Sequence, residues 1–202
     1  MLSTRFTMAL SVATELHVYQ ERKGKKEPYV AHLLAVTSLV LENGGTEDEA
    51  IAALLHDTLE DQGHRFAGGA DALRNYIKDR FGERVLEIVE ACTDADIQPK
   101  PPWKARKAAY LQQLAAADAS VLLVSCADKV HNGRSIYQDY QQLGEALWSR
   151  FRGGKEGTLW YYQALVDTYA QNPAVPPLLL AELKRLVAKI TDLSRDNHIA
   201  AN

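Results

Sequence analysis

The sequence predicts an all-α fold. Apolar residues recur at a helical period along the chain, no segment alternates apolar and polar residues as a half-buried strand would, and glycine or proline punctuation falls at helix-length intervals. The first helix is expected from about Ser3 to Glu21, interrupted by the basic stretch Arg22-Lys23-Gly24-Lys25-Lys26. Pro28 opens the second because its fixed φ suits a first helical turn, and Asn43-Gly44-Gly45 closes it with residues that accept left-handed backbone. Thr46-Glu47-Asp48-Glu49 reads as a capping box, so a third helix starts there and runs through His56-Asp57-Thr58-Leu59-Glu60-Asp61. A glycine-containing loop from Gly63 to Gly69 leads to helical segments near Ala70–Arg80 and Glu83–Ala91, split at Phe81-Gly82. Residues 93–102 hold three prolines and two aspartates and read as a long loop. Helices follow from about Trp103 to Ala116 and, with Asp118 as N-cap, onward to about Tyr140. Gly153-Gly154 breaks the next segment. Pro173, Pro176 and Pro177 precede a final helix over about 176–194 that carries Leu178, Leu179, Leu183 and Leu186.

Composition sets the outer bounds. The 202 residues read as one domain, residues 1–202, large enough to bury a core without covalent staples. A net charge of −3 argues against a general nucleic-acid binder. No apolar run approaches the roughly 20 residues of a membrane span, and Met1–Met8 lacks the continuous apolar stretch of a signal peptide, so no membrane partner is expected. Cys92 and Cys126 sit in apolar helical contexts and imply no disulfide framework, which makes a cytoplasmic location the natural reading. No pattern in the chain sets an oligomeric state.

The chemistry concentrates in Leu54-Leu55-His56-Asp57-Thr58-Leu59-Glu60-Asp61. On a continuous helix, at about 100° per residue, Glu60 lies one turn beyond His56 and Asp57, and Asp61 one turn beyond Asp57. Like charges one turn apart repel, and desolvation at the edge of a core adds to the cost. A bound divalent cation reverses that cost. Two more ionisable groups stand in apolar helical sequence, His32 and Asp128, where a lone charge would be expensive. His32, His56, Asp57 and Asp128 form a mixed nitrogen and oxygen set suited to Mn²⁺, Fe²⁺, Zn²⁺ or Mg²⁺, with Mn²⁺ favoured where waters complete the shell. Singly, each residue has a plainer role: His32 as a core histidine, Asp128 as a capping or paired carboxylate, Glu60 and Asp61 as a solvated helix end. Jointly they point to a metal site. His17, His64, His131 and His198 show no partner pattern.

The order H…HD…D, with the strings Glu27-Pro28-Tyr29-Val30-Ala31-His32, Leu54 to Asp61, and Ala127-Asp128-Lys129-Val130-His131-Asn132-Gly133-Arg134, closely resembles the hydrolase domain of the RelA/SpoT homologues. Those HD-domain phosphohydrolases degrade the alarmones ppGpp and pppGpp. The resemblance covers about residues 5–170, includes nothing like the family's synthetase or regulatory domains, and points to its stand-alone small alarmone hydrolases. It implies an HD-domain helical bundle, a divalent metal cofactor with Mn²⁺ first, and a (p)ppGpp 3′-pyrophosphohydrolase releasing pyrophosphate. Glu60 and Asp61 match the family's catalytic acidic pair. Arg22 and Lys23 match its basic pair, Arg22 to stack on the purine and Lys23 to neutralise phosphate. Asn132 matches a nucleoside contact, and Ser135 stands where several relatives carry Thr. Arg152 matches a basic residue placed before the last conserved helix, but the insertion Gly153-Gly154-Lys155-Glu156-Gly157 departs from the pattern there. Tyr161 and Trp160 read as core packing first and pocket walls second. The same motifs leave open ppApp, NADPH, a dNTP or a nucleoside monophosphate as substrate. A non-catalytic alarmone binder is the remaining alternative, and the intact Glu60-Asp61 pair weighs against it.

Overall fold

A computed structural model describes residues 1–95 and 99–199, with side chains through Arg195. Among these residues the chain forms α1 (Thr4–Leu16), α2 (Val30–Glu42), α3 (Glu47–Leu55), α4 (Thr58–Gln62), α5 (Gly69–Phe81), α6 (Glu83–Cys92), α7 (Trp103–Ala115), α8 (Ala119–Leu143), a 3₁₀ segment Gly144–Arg150, α9 (Gly154–Ala170) and α10 (Pro177–Ile199). No strand forms among them, and an isolated antiparallel bridge joins Glu21 to Pro28. The fold is all-α, as expected. Residues 96–98 of the expected loop and the side chain of His198 lie outside the described residues.

Two helices make the centre. Ala50 to Leu55 of α3 are each fully buried, because the segment is apolar on every side and its three alanines let neighbours approach closely. α1, α2, α6 and α8 pack around it. In α8, every residue from Val121 to Asp128 is buried, and α10 and α2 lie against that helix. Leu73, Ile77 and Phe81 of α5, with Val85, Ile88 and Val89 of α6, extend the core on one side. The starts of both central helices are fixed by side chains. Thr46 Oγ1 accepts from the Glu49 N–H while the Glu49 carboxylate accepts from the Thr46 N–H at 2.6 Å, the expected capping box. Asp118 Oδ1 accepts from the Val121 N–H at 3.1 Å.

Two expectations are corrected. The first helix ends at Leu16, not near Glu21. The Tyr29 N–H donates to the Gln20 carbonyl and the Arg22 N–H to the Glu27 carbonyl, both at 2.8 Å, so residues 20–29 fold back as a short hairpin. Gly24 turns it at φ +75°, a left-handed conformation glycine takes without a steric penalty. The third helix is also not continuous through Asp61. It stops at Leu55 and restarts as α4 at Thr58. His56 Nδ1 donates to the Ala53 carbonyl at 2.8 Å, taking the acceptor that a continuing helix would offer to the Asp57 N–H. Asp57 itself sits at φ −94°, ψ −1°, between regular helical positions.

The capping box and the central burial have measurable weight. Thr46→Ala is expected to lower stability by about 1 kcal/mol and Leu54→Ala by about 2–5 kcal/mol, read as shifts of the urea midpoint at constant slope. A Leu54→Ala loss below that of Thr46→Ala would contradict the placement of α3 at the centre.

Candidate active site

Three core elements bring four ionisable side chains to one place. His32 comes from the first turn of α2, His56 and Asp57 from the break between α3 and α4, and Asp128 from the middle of α8. His32 Nε2 lies 3.2 Å from Asp128 Oδ1 and 3.5 Å from Asp57 Oδ2. His56 Nε2 lies 3.1 Å from Asp57 Oδ2 and 3.6 Å from Asp128 Oδ1.

The Nε2 atoms of His32 and His56 are buried and make no hydrogen bond. Their Nδ1 atoms are both committed, His56 to the Ala53 carbonyl and His32 to His131 Nδ1 at 2.7 Å. Two imidazole Nε2 atoms without a hydrogen bond thus converge on two carboxylates. Separations of 3.1–3.6 Å are those that neighbouring ligands of one cation show at ligand distances of about 2.0–2.2 Å. The donor set fits a divalent cation.

Electrostatics show what the four groups do to one another. Burial works against a charged His56, yet the carboxylates of Asp57 and Asp128 outweigh it and hold the imidazole well above its usual range. Burial alone would raise both carboxyls. The His56 charge instead holds Asp57 well below the ordinary carboxylate range, and the Lys129 ammonium does the same for Asp128. Lys129 Nζ donates to Asp128 Oδ2 at 2.5 Å, Asn132 Nδ2 to Asp128 Oδ1 at 2.5 Å, and the Tyr29 hydroxyl to Asp57 Oδ2 at 2.5 Å.

Beside the cluster lies a cleft of about 900 Å³ whose walls carry nine Lys and Arg against five Asp and Glu. That excess is the reverse of the chain's net charge of −3. Every substrate residue expected from sequence lines this cleft: Arg22 and Lys23 on the hairpin, Asn132 and Ser135 on α8, and Arg152 before α9. Arg22 donates to Asn132 Oδ1 at 2.7 Å, and its guanidinium lies 5.7 Å from the Tyr29 ring centre. Lys25 Nζ lies 3.3 Å from Ser135 Oγ and 2.7 Å from Asp139 Oδ1, which ties the hairpin to α8. Lys23 and Arg152 are exposed.

Glu60 and Asp61 also line the cleft, although the helix that was expected to carry them with His56 is broken. Lys100 donates to Glu60 Oε1 at 2.7 Å. Gln20 Nε2 donates to Asp61 Oδ2 at 2.7 Å, and burial first, then the Asp57 charge, push the Asp61 carboxyl up to about 6. Tyr161 is a wall of the cleft, its phenol pushed up to about 12 by burial. Trp160 is 38% exposed and does not line it; its ring packs edge-on against Trp103.

Several residues escaped the sequence reading. His131, assigned no partner there, bonds His32. His17 is buried, bonds Gln20 at 2.8 Å and stacks on Tyr29. Lys100, and the pair Arg106 and Lys107 that both bond Asp94, join distant segments. Only His131 left a local signal, standing one turn after Asp128 on the same helix.

Comparison with known proteins follows the same line. A profile of the HD domain matches residues 9–159. A guanosine-3′,5′-bis(diphosphate) 3′-pyrophosphohydrolase of Aquifex aeolicus is 36% identical over 132 residues, 64% of this chain and 17% of that protein. The chain thus spans about a sixth of that relative's length. The MESH1 pyrophosphohydrolase of Xenopus tropicalis is 36% identical over 63% of this chain and 67% of its own, and that of Mus musculus 31% over 71% and 74%. A solved structure of a metazoan SpoT ortholog, described as hydrolysing ppGpp, superposes with a TM-score of 0.75 over 94% of this chain and 97% of its own at 23% identity, a likeness of fold.

Gly153 shows how tightly one wall is built. A Cβ there would meet the Trp103 ring at 2.7 Å. Gly153→Ala is expected to displace that indole and cost about 1–3 kcal/mol, seen as a lower melting temperature and an altered tryptophan emission. An unchanged melt and spectrum would contradict the contact.

Proposed function

The chain belongs to the HD-domain family, and from that premise we propose that it is a metal-dependent (p)ppGpp 3′-pyrophosphohydrolase. The observation that carries the reading is a cation-rich cleft, in a chain of net negative charge, beside a cluster of two imidazoles and two carboxylates. A substrate bearing two pyrophosphate groups supplies the negative charge those walls lack. The names of the relatives agree with it.

His32, His56, Asp57 and Asp128 would hold the cation, with Mn²⁺ the preferred ion for this donor set. When bound, such a cation lowers the pKa of a water by several units and screens the anionic substrate. Hydrolysis then requires a water oxygen to add to the phosphorus attached to O3′, with cleavage of the P–O3′ bond. Pyrophosphate leaves carrying the new oxygen, O3′ takes up a proton, and the nucleoside product is GDP or GTP.

Asp61 is suited to receive the proton of the water. Its carboxyl titrates near 6, close enough to neutrality to exchange a proton without holding it, and Gln20 fixes its orientation. Glu60 steers the same water, and its ion pair with Lys100 brings a cation to the cleft beside the acidic pair. Arg22, already beside Tyr29 and Asn132, is placed to stack on a purine. Lys23 and Arg152 meet phosphate from the rim, and Asn132 and Ser135 the nucleoside. The buried free thiols Cys92 and Cys126 accord with a cytoplasmic location. No described helix is long and apolar enough to cross a membrane.

The test is product analysis with ppGpp and metal-stripped protein, with and without Mn²⁺. Pyrophosphate and GDP should appear only with Mn²⁺, and Asp57→Ala should abolish their release. Asp61→Asn and Glu60→Gln should each lower kcat by about 10²–10⁴-fold. Release from ppApp or NADPH but not from ppGpp would overturn the choice of substrate, and release undiminished in Asp57→Ala would overturn the mechanism.

A further inference from the structure

The two imidazoles of the cluster are held in different ways. His56 Nδ1 faces the Ala53 carbonyl, which can only accept, so that nitrogen keeps its proton and Nε2 is the atom turned to the cluster. His32 Nδ1 faces no carbonyl or carboxylate; its partner is His131 Nδ1 at 2.7 Å, with the rings 4.8 Å apart and tilted by 38°. A single proton lies between those two nitrogens. If it sat on His131, His32 would carry its own proton on Nε2 and present no lone pair to the cluster. His32 can serve as a metal ligand through Nε2, which faces Asp128 Oδ1 at 3.2 Å, only in the other arrangement, with the shared proton on its own Nδ1.

We propose that His131 is a positioning residue for the metal site, accepting through Nδ1 the proton of His32 and so keeping the His32 Nε2 lone pair turned to the cation. The assignment rests on the metal site described above. α8 therefore serves the cluster twice, with Asp128 as a ligand and, three residues on, His131 as the group that orients the ligand of α2. The same turn holds Asn132, which donates to Asp128 at 2.5 Å, so each side chain α8 presents here fixes a ligand or is one. Outer partners of this kind govern affinity, because a ligand free to rotate or to change tautomer must be ordered again at each binding event.

Metal affinity, measured calorimetrically with Mn²⁺ alone on metal-stripped protein, reads the role without recourse to turnover. His131→Phe keeps a ring of similar shape but no acceptor, and should weaken Mn²⁺ binding by about 10–100-fold. His131→Asn returns an acceptor at the Nδ1 position and should recover most of the loss, with metal-free melting curves of the two variants alike. Wild-type affinity in His131→Phe, or no recovery in His131→Asn, would overturn the assignment while leaving the metal site in place. Failure of the wild type to bind Mn²⁺ would overturn the site itself. Long-range ¹H–¹⁵N spectra of the Zn²⁺-loaded wild type test the same point without a substitution: the proton should reside on His32 Nδ1 and be absent from His131 Nδ1, and the reverse would overturn the proposal.

Discussion

Everything in this molecule turns on the burial of three ionisable side chains, with a fourth half-buried beside them, where three apolar elements meet. His32, His56 and Asp128 are 1%, 2% and 5% exposed, and Asp57 is held among them. Desolvating such groups costs several kcal/mol each unless charge of the opposite sign stands close by. The helices that enclose them are ordinary: α3 and α8 are apolar and fill the core. What is unusual is that the interior spends its central contacts on a polar cluster. Two unbonded imidazole nitrogens facing two carboxylates make a donor set that fits a divalent cation.

The surroundings extend the same logic outward. Asp128 is held by Lys129 and Asn132, Asp57 by Tyr29, His56 by a carbonyl and His32 by His131. Asn132 passes the connection on to Arg22, and Arg22 stands on the hairpin at the mouth of the cleft. Lys25, Ser135 and Asp139 tie that hairpin down. A chain of contacts thus joins the histidine–carboxylate cluster to the basic rim of the cleft, so that both are positioned by one framework. The acidic pair sits between, Asp61 toward Gln20 and Glu60 toward Lys100.

Much of this was legible in the sequence, for identifiable reasons. Charged residues inside apolar helical stretches stood out at His32, His56, Asp57 and Asp128, and caps such as Thr46-Glu49 and Asp118 act within one turn. The break between α3 and α4 was not legible, since every residue from Ala50 to Gln62 is compatible with a helix. It arises because the His56 side chain competes for a backbone acceptor. The hairpin at 20–29 was hidden behind a basic run that reads as a solvated turn. Lys100 with Glu60, Gln20 with Asp61 and Arg106 with Asp94 meet only because the fold brings separate segments together, which no local pattern encodes. His131 could have been read from its position one turn after Asp128, but a histidine at a helical spacing is by itself common.

The most direct test of the central claim is an anomalous difference map from crystals of the protein grown with Mn²⁺. One strong peak should lie within bonding distance of His32 Nε2, His56 Nε2 and the carboxylates of Asp57 and Asp128. A peak elsewhere, or none while the four side chains close onto one another through histidine–carboxylate hydrogen bonds, would show that the cluster stabilises itself and holds no cation.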